Sequence, residues 1–283
     1  MTNTSPQSND LSDQQDQIEA SEVLLEHRDH IAIVTLNRPK ARNAYSSLMI
    51  RQIVKVLDEL ELNPQIRVVV LTGAGPSFSA GGDLKLMRDK EGMFKGEALE
   101  LRSRYMQEIH QVPRRLARFS KPIIAAINGA AIGAGLDLSL MCDLRIASQS
   151  AKFGSTFVKV GLIPGDGGAY YLTRAIGLAK ALELTLTGRV ITAQEALNMG
   201  IISRVVDDEK LMDSALSLAQ EIAQNAPVAV QLTKSAAYQS LNVSPESALQ
   251  IAASFQGIAQ NTHDHLEGVQ AILDRRSPQF TGK

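Results

Sequence analysis

The sequence contains a single cysteine, Cys142, and its positive and negative charges almost cancel. One cysteine cannot form a disulfide within the chain, and a lack of disulfides is typical of proteins in reducing compartments. The formal net charge of −1 leaves no excess of Lys and Arg of the kind that neutralises nucleic-acid phosphates. We therefore expect a cytoplasmic protein that does not bind nucleic acid.

The chain also lacks a hydrophobic run suited to a membrane. The stretch 122–142 is apolar enough to resemble a span, but it contains Asn128, Asp137 and three glycines, which are costly in lipid. It fits a buried strand, turn and helix better, so no membrane association is expected. Residues 1–20 contain no Lys, no Arg and no apolar signal core. Their polar composition predicts a flexible tail over residues 1–21.

Common cofactor and metal signatures are missing. The triplets Gly133-Ala134-Gly135 and Gly73-Ala74-Gly75 each begin a dinucleotide fingerprint, but neither is followed by a third glycine at the required spacing. No Walker lysine follows a glycine-rich loop, and no Gly-x-Ser-x-Gly elbow is present. The five histidines lack ligand spacing with the cysteine. Neither a metal nor a separate cofactor is expected.

What the sequence does contain is an alternation of strand-like and helical patterns. Strand-like runs occur at 23–26, 31–36, 67–72, 123–127, 143–147 and 201–206. The first two are close enough to form a hairpin. Apolar spacing is helical from Ser46 onward and again over 105–119, where Pro113 is expected to kink the helix. Beyond residue 207 the spacing is helical only. These patterns predict an α/β protein with a C-terminal helical module of about 70 residues.

Two glycine-containing turns, 78–84 and 129–135, each follow a predicted strand. Small residues allow a ligand to approach the backbone, and amides at a helix N-terminus point outward with the positive end of the helix dipole behind them. Two such turns could present two N–H donors to one oxygen atom. The alternative is that both are tight turns in which glycine only supplies a positive φ.

Further motifs surround these turns in a fixed order. They are Asn37-Arg38-Pro39 with Asn43-Ala44, Phe78-Ser79-Ala80-Gly81-Gly82-Asp83, the run 128–135, Met141-Cys142-Asp143, Gly161-Leu162-Ile163-Pro164-Gly165, the run 264–269 and the run 278–283. In this order they resemble the crotonase superfamily, which includes enoyl-CoA hydratases and isomerases. The resemblance covers residues 22–283.

The resemblance implies a spiral of ββα units over 22–207 and a helical trimerisation module over 208–283, in a homotrimer or a dimer of trimers. It implies an acyl-CoA thioester substrate, with coenzyme A as part of that substrate. The amides of Gly82 and Ala134 would form an oxyanion hole, and Ala134 replaces the usual glycine, which is tolerable because only the amide is used. Residues implied to contact coenzyme A are Lys40, Ala41, Arg42, Ala80, Asp83, Leu84, Phe280 and Lys283.

The acid and base groups determine which reaction such a site performs. Asp137 lies one helical turn after Ala134, where the hydratase pattern has Glu, although it could instead cap or pair locally. Phe157, a predicted pocket residue, lies where a hydratase carries its second carboxylate. Asp166 offers a replacement carboxylate in the next turn, or else forms an Asx-turn that caps the following helix.

Hydration of an enoyl thioester by the usual route uses two carboxylates, whereas isomerisation needs one carboxylate in an apolar pocket. We therefore favour enoyl-CoA double-bond isomerisation, with Asp137 and Asp166 as the candidate catalytic residues. Enoyl-CoA hydration is the alternative within the family. A different class of function, non-catalytic acyl-CoA binding, would keep the fold without acid–base chemistry.

Overall fold

A computed structural model describes residues 21–283 as a mixed α/β protein. Of the tail predicted over residues 1–21, all but Ser21 lies outside the described residues. The described part contains ten strands: β1 (Val23–Arg28), β2 (Ile31–Leu36), β3 (Val68–Gly73), β4 (Ser77–Ser79), β5 (Ile123–Ile127), β6 (Ala130–Ile132), β7 (Leu144–Ser148), β8 (Lys152–Gly154), β9 (Val190–Thr192) and β10 (Arg204–Val206).

Helices connect the strands and make up the C-terminal quarter. Those found within residues 21–283 are α1 (Ser47–Leu62), α2 (Leu84–Asp89), α3 (Ala98–Arg104), α4 (Gln111–Leu116), α5 (Ala134–Met141), α6 (Gly168–Ile176), α7 (Leu178–Thr187), α8 (Ala193–Met199), α9 (Leu211–Ala223), α10 (Pro227–Ser240), α11 (Pro245–Gln260) and α12 (His263–Asp274). Ser46 is the N-cap of α1, so the helix starts where the apolar spacing predicted. Its side-chain oxygen accepts the N–H of Met49 at 3.0 Å and so satisfies one of the free amides of the first turn.

The strands form two sheets. The larger has the order β1-β2-β3-β5-β7-β10, with β1 antiparallel to β2 and every other pair parallel. The predicted hairpin is therefore confirmed, and its register pairs Val23 with Leu36. The smaller sheet has the order β4-β6-β8-β9, with β9 antiparallel to β8. The pairing of β4 with β6 brings together the two turns that the sequence singled out.

The larger sheet is covered on both faces. Every residue of β5 is buried, which explains its unbroken apolar sequence. Alternate strand residues point to opposite faces, so the sheet contributes to two apolar cores. One core contains the buried face of α1, with Ile50 and Ile53 packed near Val69 and Leu71. The other contains α9, whose buried residues are Leu211, Ala215, Ala219 and Ala223.

The C-terminal residues 208–283 are helical, but they do not all pack in the same way. Helix α9 shares the core of the larger sheet. In α10, α11 and α12, by contrast, the buried side chains are those of Asp264 and Ala271. A separate module that begins at residue 208 therefore stays a prediction. Within residues 21–283, no helix combines the length and apolar character needed to cross a membrane.

The helix predicted over 105–119 is interrupted at His110, within one turn before Pro113. The chain forms a π-helical turn at Tyr105–Ile109, closed by a hydrogen bond of 2.8 Å from the His110 amide to the Tyr105 oxygen. Pro113 lies in the first turn of α4, where backbone N–H groups have no partner within the helix. In an unbroken helix its missing N–H would have bonded the carbonyl of Ile109, four residues earlier, so the interruption lies where proline is expected to disturb a helix. The predicted kink stays a prediction.

Candidate active site

The turns that follow β4 and β6 lie side by side because these strands are parallel neighbours. The two turns are in contact through the backbone of their glycine residues. A Cβ at Gly81 would lie 2.5 Å from the Ile132 oxygen and 2.8 Å from the Ala134 nitrogen, and a Cβ at Gly135 would collide with the Ser79 oxygen. A side chain at either position would push the turns apart, which explains both glycines.

Two backbone amides at this junction, those of Gly82 and Ala134, have no acceptor within residues 21–283. Ala134 is the first residue of α5, where N–H groups lack a helical partner and the helix dipole is positive. Tyr45 holds the other turn in place, because its N–H donates to the Gly81 oxygen at 2.7 Å and its backbone pairs with Gly82. Two fixed donors of this kind suit a carbonyl oxygen that gains negative charge.

A cavity of about 20 Å³ is lined by Gly82 and Ala134. Its apolar walls are formed by Met87, Met93, Phe94, Ile109, Phe157 and Leu162. Its polar side chains are those of Tyr45, Tyr105 and Asp166. A space of this size holds about one water molecule.

Asp166 is the carboxylate in this cavity, and its side chain is 5% exposed. Burial raises its pKa from 3.8 to about 6, and the charge of His110 opposes the rise. His110 also holds the turn itself, since its Nε2 lies 2.8 Å from the Gly165 oxygen and must carry the donated proton. The N-cap residue of helix α6 is Gly167, which has no side chain to cap it. Among the described residues, no backbone N–H donates to the Asp166 carboxylate, so the structure gives no support to the Asx-turn alternative.

Asp137 is also buried, but it does not line the cavity. Its Oδ2 accepts the N–H of Gly168 at 3.1 Å, so it caps the start of α6. Its Oδ1 has no partner within the described residues. Burial raises the pKa of Asp137 well above 3.8, the charge of Asp166 raises it further, and the hydrogen bond from Gly168 opposes both effects. The alternative that Asp137 only caps a helix thus explains the hydrogen bond of Oδ2 and leaves the unpaired Oδ1 unexplained.

A model of the enoyl-CoA hydratase/isomerase family matches residues 26–283. The chain belongs to this family. It is 36% identical to the short-chain-enoyl-CoA hydratase of Clostridium acetobutylicum, over 92% of this chain and 97% of that protein. It is 39% identical to the 1,2-epoxyphenylacetyl-CoA isomerase of Escherichia coli, over 93% of this chain and 99% of that protein.

Solved structures agree with this assignment. The crystal structure of an enoyl-CoA hydratase from Bacillus anthracis matches with a TM-score of 0.86 at 34% identity, over 93% of this chain and 100% of that one. The predicted crotonase-type fold is therefore confirmed. The chain is an enoyl-CoA hydratase/isomerase family enzyme with an acyl-CoA thioester substrate.

Four of the predicted site residues of this family member lie together in the cavity: Gly82, Ala134, Phe157 and Asp166. Two further groups were missed. Tyr45 follows the recognised Asn43-Ala44 pair directly, and its backbone contact with Gly82 could not be inferred from spacing. Tyr105 lies in the π-helical turn, and burial with the charge of Asp166 raises its pKa to about 12.

Asn43 is a structural residue that the sequence reasoning named only as part of a motif. Its Nδ2 donates to the oxygens of Ala74 at 2.9 Å and Ser77 at 2.8 Å, while its Oδ1 accepts the Arg38 N–H at 2.8 Å. Its own carbonyl accepts the Ser79 hydroxyl at 2.8 Å. Asn43 therefore fastens the 37–43 segment to the strand before the Gly82 turn.

The turn predicted to contact coenzyme A adjoins the Gly82 turn. The Ala80 N–H donates to the Arg42 oxygen at 2.9 Å, and the side chains of Lys40 and Arg42 are exposed. Asp83 has a local role, because its carboxylate caps α2 through the amides of Lys85 and Leu86. Contact with coenzyme A stays a prediction for Lys40, Ala41, Arg42, Ala80, Asp83 and Leu84.

The C-terminal residues Phe280 and Lys283 lie elsewhere on the same chain. Phe280 lines cavities formed with Arg67 on one side and Tyr238 on the other, and its carbonyl accepts from Arg67 at 2.7 Å. Asp264 fixes the last residues by accepting two backbone N–H groups, each at 2.7 Å. Neither Phe280 nor Lys283 lines the cavity of Gly82. Their predicted contact with coenzyme A stays a prediction.

Proposed function

We propose that this enzyme is an enoyl-CoA isomerase that moves a carbon–carbon double bond along the acyl chain. The observation that carries the proposal is the composition of the cavity. Among the described residues that line it, Asp166 is the one carboxylate, and it shares an otherwise largely apolar space with the free amides of Gly82 and Ala134. A proton shuttle needs one such group, whereas the usual hydration needs two.

In this mechanism the carboxylate of Asp166 removes a proton from C2 of a 3-enoyl-CoA, the saturated carbon next to the thioester carbonyl. The C–H bond breaks, an O–H bond forms on Asp166, and the electron pair moves to the carbonyl oxygen. The amides of Gly82 and Ala134 stabilise that oxygen, each by about 3 kcal/mol. Asp166 then returns the proton to a different carbon. With a pKa of about 6, Asp166 is mostly ionised at pH 7 and still a competent acid once protonated.

Hydration is a second candidate, and one observation favours it. The carboxyl of Asp137 interacts with the charge of Asp166, and its Oδ1 has no partner within residues 21–283. A rearrangement that brought Oδ1 into the cavity would supply the second carboxylate that water addition needs. The similarity to the Clostridium acetobutylicum hydratase supports this candidate as well.

The Phe157→Glu variant separates the two candidates. If the wild-type site lacks an acid for water addition, a carboxyl at this position should raise the hydration of crotonyl-CoA at least about tenfold relative to isomerisation of a 3-enoyl-CoA. Both activities are followed by absorbance of the conjugated thioester. Phe157→Gln is the matched control, since it adds a polar side chain of similar size without an acid. Rapid hydration by the wild type, with no gain in Phe157→Glu, would favour the hydratase.

We also propose a homotrimer or a dimer of trimers. Helix α7 exposes Leu178, Leu182 and Leu186, which are four residues apart on one face, at 64%, 43% and 70%. An apolar stripe of this kind is usually covered by a partner. Light scattering at micromolar concentration should give three or six times the monomer mass, and a monomer would contradict the proposal. A cytoplasmic location also stays a prediction.

A further inference from the structure

The hydroxyl of Tyr45 is a polar group in the cavity that the proton shuttle does not use. The residue is 3% exposed, and within residues 21–283 its oxygen has no hydrogen-bond partner. Its side chain lines the same cavity as Gly82, Ala134 and Asp166. Its backbone is fixed to the oxyanion turn, since its N–H donates to the Gly81 oxygen at 2.7 Å. The Tyr45 side chain is therefore held at a defined position in the wall of the acyl pocket.

A buried hydroxyl without a partner lowers stability by about 1–3 kcal/mol, while Phe would fill nearly the same volume without this penalty. Such a group is retained at a functional site when a ligand supplies the missing partner. Burial raises the pKa of Tyr45 well above 10, and the charges of Asp166 and Asp137 raise it further. The phenol therefore stays protonated and offers an O–H to whatever enters the cavity.

The surroundings restrict which atom can accept this hydrogen bond. The thioester oxygen is taken by the amides of Gly82 and Ala134, so the acceptor lies farther along the acyl group. The charges of Asp166 and Asp137 act on Tyr45, and Asp166 lines the same cavity, so a carboxylate on the substrate would be repelled there. An uncharged oxygen farther along the acyl chain, such as a hydroxyl, keto or epoxide oxygen, is neither held by the two amides nor repelled by the acidic groups.

We propose that Tyr45 is a specificity-determining residue whose hydroxyl donates a hydrogen bond to an uncharged oxygen on the acyl chain, so that oxygen-bearing acyl-CoA thioesters are preferred over hydrocarbon ones. The proposal rests on the proposed function only in taking this cavity as the acyl pocket. Selectivity arises because a plain hydrocarbon chain leaves the buried O–H unpaired, whereas an oxygen-bearing chain satisfies it.

The test compares the binding of butyryl-CoA, 3-hydroxybutyryl-CoA and 4-hydroxybutyryl-CoA by calorimetry in the wild type and in Tyr45→Phe. The wild type should bind at least one hydroxylated ligand about tenfold more tightly than butyryl-CoA, and Tyr45→Phe should reduce this ratio to about one. The unfolding temperature of Tyr45→Phe should be no lower than that of the wild type, because the variant removes an unpaired buried group. Tyr170→Phe, which removes an exposed hydroxyl outside the cavity, should keep the wild-type ratio.

Three results would overturn the proposal: no preference in the wild type, an unchanged preference in Tyr45→Phe, or a lower unfolding temperature with all three ligands weakened equally. The last would assign the hydroxyl a structural role. Binding of these saturated thioesters does not depend on isomerisation. If the enzyme proved to be a hydratase and consumed 3-hydroxybutyryl-CoA, the 4-hydroxy ligand would still report on Tyr45.

Discussion

Replacing Asp166 with Asn is expected to lower kcat for isomerisation about 1,000-fold, because a positioned acid–base group contributes about 100- to 10,000-fold. Asn keeps the size of the side chain and removes only its basicity, so the affinity for a saturated acyl-CoA should change little. The absorbance of the conjugated thioester, followed over time, gives kcat. Calorimetry with butyryl-CoA gives the affinity. If the protein only binds acyl-CoA, the wild type itself should show no turnover, and Asp166→Asn should leave the affinity unchanged.

The matched control is Asp137→Asn. Its amide oxygen can still accept the N–H of Gly168, so the start of α6 should be preserved. Because Asp137 does not line the cavity, isomerisation should fall less than about tenfold. Equal, large losses in both variants would indicate that the two carboxylates act together, as hydration requires.

The pH profile provides an independent check on Asp166. Burial raises its pKa from 3.8 to about 6. If the ionised carboxylate of Asp166 is the base, as proposed, kcat/KM should be low below pH 6, rise as the pH passes through about 6 and level off above it. A profile that is flat from pH 5 to 7 would show that Asp166 does not remove the proton.

The two turns that form the proposed oxyanion site could be anticipated from sequence because their geometry depends on local chemistry. Glycine is needed at 81 and 135 for backbone contact, and the amide of Ala134 is free because a helix begins there. Strand β5 is predictable for a similar reason, since a strand buried on both faces must be apolar throughout.

The roles of the two aspartates could not be separated from sequence. Helical spacing correctly put Asp137 one turn after Ala134, but it could not show that the first amide of α6 would occupy one of its oxygens. Tyr45 was missed for the same reason, because its importance comes from a contact with Gly82, which is 37 positions away in the chain. Interactions between segments far apart in sequence leave no periodic pattern to detect.

Ala134→Pro is expected to lower kcat about 100-fold or more, because it deletes one of the two oxyanion donors. Proline is tolerated at the first position of a helix, where its ring imposes a helical φ and the lost N–H has no helical partner. The residue before it, Gly133, has φ +55° and ψ −123°, a conformation open to glycine. The variant should therefore fold, with a far-ultraviolet circular dichroism spectrum like that of the wild type.

Ala134→Gly is the control that decides whether the amide or the side chain matters. It keeps the N–H and removes one methyl group, so kcat should stay within about threefold of the wild type, with a loss of stability of about 1 kcal/mol or less from the added backbone freedom at the helix start. The affinity for butyryl-CoA should fall much less than kcat in Ala134→Pro, because the donor strengthens its interaction as the carbonyl oxygen gains charge. If the folded Ala134→Pro enzyme isomerised at the wild-type rate, the developing charge would have to be stabilised without this amide, and the assignment of the oxyanion hole would be wrong.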